Sequence, residues 1–311
     1  MKRLLITGAA GFLGSTSAQY FSQRDWEIYG LDRVAPDKTT LAVLKDHAAF
    51  RLPDPSLDEL LTQWKPDACI HAAGRASVPQ SMADPVSDFS DGPVLTFHVL
   101  EALRRCRPDC AFVLLSSAAV YGNPASLPVH EDQTPNPISV YGYHKLQSEI
   151  LCREFAKMFG MRTSSARLFS AYGPGLRRQV LWDITYKALT QRTITLQGTG
   201  SESRDFLHVL DIARALECIL NGALMKGEVI NVASGRETKI ADLAQLILNH
   251  VDPSIILKFS RELPSGTPTN WQADIRKVSA MGFVPEIALQ TGVAEYVDWC
   301  KHELNGKGMK I

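Results

Sequence analysis

The stretch YGYHK at residues 141–145 places two tyrosines ahead of one lysine. On a helix, side chains four residues apart share a face, whereas side chains two residues apart do not face each other. Tyr141 and Lys145 are therefore predicted to project together, and Tyr143 is predicted to pack or to lie at a rim. An ammonium group near a phenol stabilises the phenolate and lowers its pKa, so this pair is suited to move a proton at a substrate hydroxyl.

A further hydroxyl, that of Ser117, ends the apolar run AFVLLSS at 111–117. Such a run is typical of a buried strand, and ligands of open α/β sheets bind at the carboxyl ends of the strands. Ser117 is therefore predicted to hold a substrate oxygen while Tyr141 moves the proton. Ser139 is the candidate N-cap of the helix that carries Tyr141, since it directly precedes a long amphipathic run.

The N-terminal stretch TGAAGFLG places Gly8, Gly11 and Gly14 three residues apart, where a predicted strand leads into a helix. Glycines at such a turn let the backbone approach a pyrophosphate, and the helix N-terminus favours its negative charge. We predict that this turn binds a dinucleotide, with Phe12 and Leu13 also among the contacting residues.

Asp32 ends a second predicted strand, WEIYGLD at 26–32, eighteen residues beyond Gly14. A carboxylate at this position accepts hydrogen bonds from the adenosine ribose hydroxyls and repels a 2′-phosphate. The predicted cofactor is therefore NAD rather than NADP. Arg33 is counted among the cofactor-binding residues, and it keeps NADP open because an arginine can pair with the extra phosphate.

The elements that position these residues alternate between short apolar runs and longer amphipathic segments. The predicted strands are 3–8, 26–32, 68–74, 111–117 and 163–169. The predicted helices are 57–64, 94–106, 140–159, 179–191, 209–222, 239–250 and 290–303. Strands that are apolar throughout imply a parallel sheet covered on both faces. We predict an α/β fold: a Rossmann-type doubly wound domain over 1–174 and a smaller C-terminal α/β substrate-binding lobe over 175–311, from which some segments could return to the first domain.

The composition is that of an ordinary globular chain of 311 residues, with 45% hydrophobic and 21% charged residues. Its 33 basic and 33 acidic residues cancel, which disfavours nucleic acid and membrane surfaces as partners. No stretch approaches the ~18 apolar residues of a membrane span. The apolar N-terminal run is too short for a signal peptide and glycines interrupt it, so a cytoplasmic protein is expected. The six cysteines lack zinc-ligand spacing, so no metal is predicted.

Motifs over nearly the whole chain share one known pattern. They are TGAAGFLG, the LD at 31–32, IHAAGRASVPQSMADP, LLSSAAVYG, YGYHK, ARLFSAYGPG, GTGSESRDFLHVLDIA, INVASG and DIRKVSAMG. On these motifs the sequence resembles the extended short-chain dehydrogenase/reductase family, in its nucleotide-sugar epimerase/dehydratase branch, which includes UDP-glucose 4-epimerases.

The resemblance implies roles for individual residues toward the cofactor. Tyr141 would remove a proton from a sugar hydroxyl, and Lys145 would bond the nicotinamide ribose and lower the pKa of the tyrosine. Asp54 falls where the family has an acid that contacts adenine, and Ala73 and Gly74 would line the cofactor.

Toward the substrate, the resemblance implies that Ser117 orients the sugar oxygen and that Arg204 grips the nucleotide diphosphate. Arg261 is a further candidate phosphate contact. Ser170 stands where the family often has an asparagine, and it is counted with the substrate-binding residues. Gly92 likewise stands where the family usually has an asparagine. Ala76 stands where some hexose 4-epimerases carry a lysine. The loops 174–183 and 261–271 are expected to determine the specificity of the pocket.

The implied function is an NAD-dependent epimerase of a nucleoside-diphosphate sugar, acting at C4 through a 4-keto sugar. A reductase of a nucleotide-linked 4-keto-6-deoxy sugar is the alternative, because it uses the same residues once and exchanges its cofactor. A non-catalytic dinucleotide-sensing protein is disfavoured by the presence of Ser117, Tyr141 and Lys145. The 4,6-dehydratase reaction, which loses water from C5 and C6, is disfavoured because Ala118 and Ala119 stand where 4,6-dehydratases carry an Asp-Glu pair, and methyl groups cannot move protons.

The resemblance also implies a homodimer formed through the helices at 94–106 and 140–159. The apolar positions on these helices, in the interface or in the core, are Val99, Leu103, Leu146 and Ile150.

Overall fold

The computed structural model describes residues 1–264 and 266–306. Its strands are β1 (Lys2–Thr7), β2 (Trp26–Asp32), β3 (Asp46–Ala49), β4 (Ala68–His71), β5 (Ala111–Ser117), β6 (Thr163–Leu168), β7 (Ser170–Tyr172), β8 (Thr193–Leu196), β9 (Ser203–His208), β10 (Lys226–Val232), β11 (Glu237–Lys239) and β12 (Ile256–Phe259). Its helices are α1 (Phe12–Ser22), α2 (Lys38–Leu41), α3 (Ser56–Trp64), α4 (Val78–Ala83), α5 (Pro85–Phe89), α6 (Leu95–Cys106), α7 (Val140–Phe159), α8 (Gln179–Thr190), α9 (Val209–Gly222), α10 (Ile240–Val251), α11 (Arg276–Ser279) and α12 (Leu289–Gly306).

Seven of these strands form a parallel sheet in the order β10-β6-β5-β4-β1-β2-β3. This confirms the predicted doubly wound α/β fold. Strands β2 and β5 occupy the predicted ranges, whereas β3 and β10 were not predicted. Both lie at the edges of the sheet, and the DHAA of β3 is mostly exposed, so neither has the continuous apolar run that marks a buried strand.

Helices cover both faces of this sheet. On one face α1 and α9 pack together, and their buried residues include Phe21 and Leu216. On the other face α3, α6 and α7 pack together, with Leu61, Leu100 and Phe155 in the core. Helix α9 and strand β10 follow residue 174 in the chain, yet they pack with the first sheet.

A smaller group of elements lies beyond the carboxyl edge of the sheet. Strands β11, β9 and β7 form one small sheet, and β12 pairs with β8 in another. Helices α8, α10 and α12 contact one another and enclose a separate apolar cluster that contains Ile184, Leu243 and Tyr296. Across residues 1–264 and 266–306, no helix combines the length and apolar character needed to cross a bilayer.

Helix α7 is anchored at its start and in its middle. The hydroxyl of Ser139 accepts the Gly142 N–H at 3.1 Å, so Ser139 is the N-cap of α7, as predicted. Further along, Glu149 Oε2 lies 2.7 Å from Nη2 of Arg167 on β6, and both side chains are almost fully buried. The Ser116 hydroxyl on β5 donates to Glu149 at 2.6 Å. This network joins α7 to the two strands beside it.

Candidate active site

The glycine turn between β1 and α1 leaves no space for side chains at two positions. Gly8 has φ +76°, and a Cβ there would lie 2.6 Å from the Ala73 nitrogen. A Cβ on Gly14 would lie 2.0 Å from the carbonyl oxygen of Gly8. Close packing of the turn against α1 and against the end of β4 therefore requires glycine at both positions.

A cavity of about 280 Å³ opens above this turn. Six of the residues predicted to bind the cofactor line this cavity: Gly8, Gly11, Asp32, Arg33, Ala73 and Gly74. The carboxylate of Asp32 accepts the N–H groups of Ala10 at 2.9 Å and Arg33 at 2.7 Å, which fixes its orientation at the cavity edge. A turn that has no Cβ atom at Gly8 and Gly11, beside an oriented carboxylate, fits a dinucleotide with its pyrophosphate at the N-terminus of α1.

Asp54 does not line this cavity. Its Oδ1 accepts the N–H of Ser56 at 2.9 Å, and hydrogen bonds from the side chain and then the backbone of Ser56 lower the pKa of the carboxyl. Phe50, Arg51 and Leu52 line the cavity instead. No local motif distinguishes these residues in the sequence, because β3 and the loop after it carry no periodic signal.

A second cavity, of about 460 Å³, lies beside the first, and Gly74 lines both. Its wall brings together Ser117 from the end of β5, Tyr141 and Lys145 from α7, and Ser170 from β7. Phe12, Leu13 and Arg204 also line it. Tyr143 lies outside and is 53% exposed, as the helical spacing predicts.

The electrostatics of the tyrosine–lysine pair are dominated by burial. Burial raises the pKa of Tyr141 to about 12, and the Ser117 hydroxyl and the Arg178 guanidinium act in the opposite direction. This is opposite to the direction that the sequence predicts. Lys145 Nζ lies 5.8 Å from the centroid of the Tyr141 ring and donates to the Leu115 carbonyl at 2.8 Å. Burial also lowers the pKa of Lys145, to about 8.

A buried acid lies close to this pair. Asp88, which is 3% exposed, has Oδ2 at 2.6 Å from His144 Nδ1, and its Oδ1 has no hydrogen-bond partner among residues 1–264 and 266–306. Its negative charge opposes the effect of burial on Lys145 by raising the pKa of the lysine. The histidine inside YGYHK was the only sequence signal for this contact, and the motif alone did not reveal its partner.

The far wall of the second cavity comes from the smaller group of elements. Arg204 donates to the carbonyls of Ser203, Pro268 and Thr269 at 2.6–3.1 Å, and its guanidinium lies over the Trp271 ring. Burial lowers the pKa of Arg204 to about 10.

Both predicted specificity loops contribute to the second cavity. The first loop lines it with Leu176, Arg178, Gln179, Val180 and Leu181, and the second with Gly266, Thr267, Pro268 and Trp271. Arg261 lies outside both cavities, where its backbone N–H donates to Gly198. Ser265 of the second loop lies outside the described residues.

The positions that depart from the family pattern lie in distinct surroundings. Ala76 and Ala119 line the second cavity, and Ala118 and Ala119 both belong to a buried apolar cluster. Gly92 lies in a π-helical turn, Ser90–Val94, that precedes α6. Pro93 within this turn has no N–H to donate, which accounts for the irregular helix there.

Comparison with known proteins indicates one family, with relatives of more than one activity. The model of the NAD dependent epimerase/dehydratase family matches residues 4–233. The chain is 30% identical over 318 residues to a GDP-6-deoxy-D-mannose reductase of Pseudomonas aeruginosa, with 96% of this chain and 97% of the relative covered. It is 27% identical over 314 residues to a UDP-glucose 4-epimerase of Mycolicibacterium smegmatis, covering 97% and 99%.

The fold has close structural neighbours. A UDP-glucuronic acid 4-epimerase from Bacillus cereus, solved in complex with UDP-glucuronic acid and NAD, matches with a TM-score of 0.88 and 26% identity. The match covers 97% of this chain and 99% of that one.

Proposed function

Because the chain belongs to the NAD-dependent epimerase/dehydratase family, we propose that it is an NAD-dependent enzyme that inverts the C4 hydroxyl of a nucleoside-diphosphate sugar. One observation carries the proposal: Ser117, Tyr141 and Lys145 meet in a cavity that shares Gly74 in its lining with the glycine-turn cavity. A group bound at the glycine turn and a group bound beside Tyr141 would therefore lie next to each other.

The residues of the second cavity have separate tasks in this reaction. When bound, NAD supplies the hydride acceptor and returns the hydride. Tyr141 Oη takes the proton of the C4 hydroxyl and gives it back, and Ser117 Oγ donates a hydrogen bond to the C4 oxygen. The Lys145 ammonium stabilises the Tyr141 phenolate. Rotation of the 4-keto sugar before the return step presents its other face and yields the epimer.

The substrate diphosphate belongs at the wall that Arg204 and Arg178 form. The Arg204 guanidinium is already oriented by three backbone carbonyls, so little of its rotamer freedom remains to be lost on binding. Arg178 is exposed and lines the same cavity, and its positive charge acts to lower the pKa of Tyr141. An arginine favours phosphate oxygens because its planar donors match their geometry.

A reductase of a 4-keto-6-deoxy sugar is the second candidate, favoured by the 30% identity to the Pseudomonas reductase. The same tyrosine and lysine would serve it, with the proton moving in one direction only. A 4,6-dehydratase is disfavoured because Ala119 lines the cavity where such enzymes carry an acid or a base.

The experiment that tests the proposal uses purified protein with no added cofactor. The protein is denatured to identify any released dinucleotide, and intact protein is incubated with UDP-, GDP-, CDP- and dTDP-sugars while NMR follows the products. We expect released NAD and interconversion of two C4 epimers. A protein that is inactive until NAD(P)H and a 4-keto sugar are supplied would contradict the epimerase and support the reductase.

A pH effect follows from the charges around Lys145. Its pKa of about 8 means that the ammonium is present below this pH and is lost above it, so we expect turnover to fall as the pH rises through about 8. Asp88 raises the pKa of Lys145, so Asp88→Asn should lower that pKa and move the alkaline limb of kcat to lower pH. Asp84→Asn, at a half-exposed carboxylate, is the matched control. An alkaline limb at the same pH in Asp88→Asn and wild type would contradict the assignment.

We also propose that the chain forms a homodimer through α6 and α7. Of the apolar positions considered, Val99 and Leu103 are fully buried in the core, so they cannot form the contact. Exposed apolar side chains on the same two helices are Phe97, Tyr143, Ile150, Met158 and Phe159. Light scattering on the purified protein is expected to give twice the mass of one chain, and a monomeric mass would contradict the proposal.

A further inference from the structure

The mouth of the first cavity contains an ion-pair cluster to which the proposed reaction assigns no role. Three guanidinium groups surround the carboxylate of Asp91. The nitrogen–oxygen distances to it are 3.7 Å from Arg33, 3.5 Å from Arg51 and 3.0 Å from Arg75. The three arginines follow β2, β3 and β4, so the cluster stands at the carboxyl edge of the sheet, where ligands bind.

The members of this cluster differ in exposure. The Asp91 side chain is 16% exposed, whereas those of Arg33 and Arg51 are 63% and 69% exposed. Asp91, Arg33 and Arg51 line the cavity together with Asp32. The carboxylate of Asp91 is therefore held in the protein, and two arginines reach over it from the solvent side.

Resting on the proposed use of NAD, we propose that Asp91 is a specificity-determining residue that selects NAD against NADP. It occupies the two arginines, Arg33 and Arg51, that would otherwise bind a 2′-phosphate. A phosphate dianion entering here has to compete with Asp91 for both guanidinium groups, and it meets the charge of Asp32 as well. Once the Asp91 charge is removed, both guanidinium groups are free to form charge-assisted hydrogen bonds with a phosphate.

Asp91→Asn keeps the size of the side chain and removes its charge. We expect the ratio of bound NADP to bound NAD to rise about tenfold, the order expected for removing one charge near a dianion at a protein surface. NAD carries no charge at the 2′ position, so its own binding should change little.

The test is a competition on the full-length protein. Protein is incubated with equimolar NAD and NADP until exchange is complete, free dinucleotide is removed, and the bound dinucleotides are released by denaturation and quantified by chromatography. Asp84→Asn is the matched control, because Asp84 also pairs with Arg75, at 3.5 Å, but does not line the cavity. Adding Arg51→Gln to Asp91→Asn should remove most of the gain.

The outcomes separate this inference from the proposed function. An NADP to NAD ratio in Asp91→Asn equal to that of wild type overturns the role of Asp91. Wild-type protein that binds no NAD contradicts the proposed function instead. If circular dichroism shows that Asp91→Asn does not fold, Asp91→Ser removes the same charge and is judged by the same ratio.

Discussion

Replacing Tyr141 by phenylalanine is expected to reduce kcat by about 10²–10⁴-fold, the usual contribution of a positioned acid–base group. Only the Oη atom is lost, so the proton of the C4 hydroxyl has no acceptor, while the ring still packs near Lys145 and against the apolar cluster that contains Ala119. Dinucleotide binding should persist because none of the residues at the glycine turn changes. Turnover of the epimer pair identified by NMR measures the first effect, and dinucleotide released on denaturation measures the second.

Tyr143→Phe is the matched control for this variant. This substitution removes the same hydroxyl group two residues further along α7. Tyr143 is 53% exposed and lies outside the cavity. Its kcat should stay within about twofold of wild type, since a surface hydroxyl takes no part in proton transfer. If Tyr143→Phe were inactive and Tyr141→Phe were active, the assignment of the acid–base residue would be wrong.

The second large effect is expected at the buried ion pair that anchors α7. Glu149→Gln should lower the free energy of unfolding by about 3–5 kcal/mol, because it leaves the Arg167 guanidinium buried without a counter-charge. Nε and Nη2 of Arg167 lie 2.9 and 2.7 Å from the Glu149 carboxylate, and the side chains are 2% and 0% exposed. Denaturation by urea, followed by circular dichroism, measures the loss.

An exposed pair provides the comparison. Arg105 Nη2 lies 2.8 Å from Asp58 Oδ1, with side-chain exposures of 47% and 40%. Asp58→Asn should therefore change the free energy of unfolding by no more than about 1 kcal/mol. Equal losses in the two variants would show that burial does not account for the cost at Glu149.

This buried pair also connects stability to the proposed chemistry. Glu149 lies one helical turn after Lys145, and it accepts a hydrogen bond from Ser116, the residue before Ser117. The network therefore helps to hold the helix that carries Tyr141 and Lys145 against the strand that carries Ser117. Close packing at the start of α7 also holds this helix near the end of β5, because a Cβ on Gly142 would lie 2.5 Å from the Ala119 carbonyl oxygen.

Features that depend on neighbours in the chain could be predicted from the sequence. The strand–glycine turn–helix at residues 2–22, the range of α7 and the common projection of Tyr141 and Lys145 each follow from periodicity, caps or the steric needs of a turn. Ser117 follows from its place at the end of an apolar run, and the family resemblance added Arg204; both residues line the second cavity. Local rules work here because each of these features is determined within a few residues.

The tertiary structure alone decided what residues distant in the sequence do to one another. It placed Asp54 outside the first cavity and brought Arg33, Arg51 and Arg75 to one carboxylate, that of Asp91. It returned β10 to the edge of the first sheet and placed Asp88 beside His144, 56 residues away. In the structure the pKa of Tyr141 is raised rather than lowered as predicted, because the cost of burying a charge depends on everything packed around it. Spacing along a helix shows which side chains share a face, but only the packed structure determines which charges that face meets.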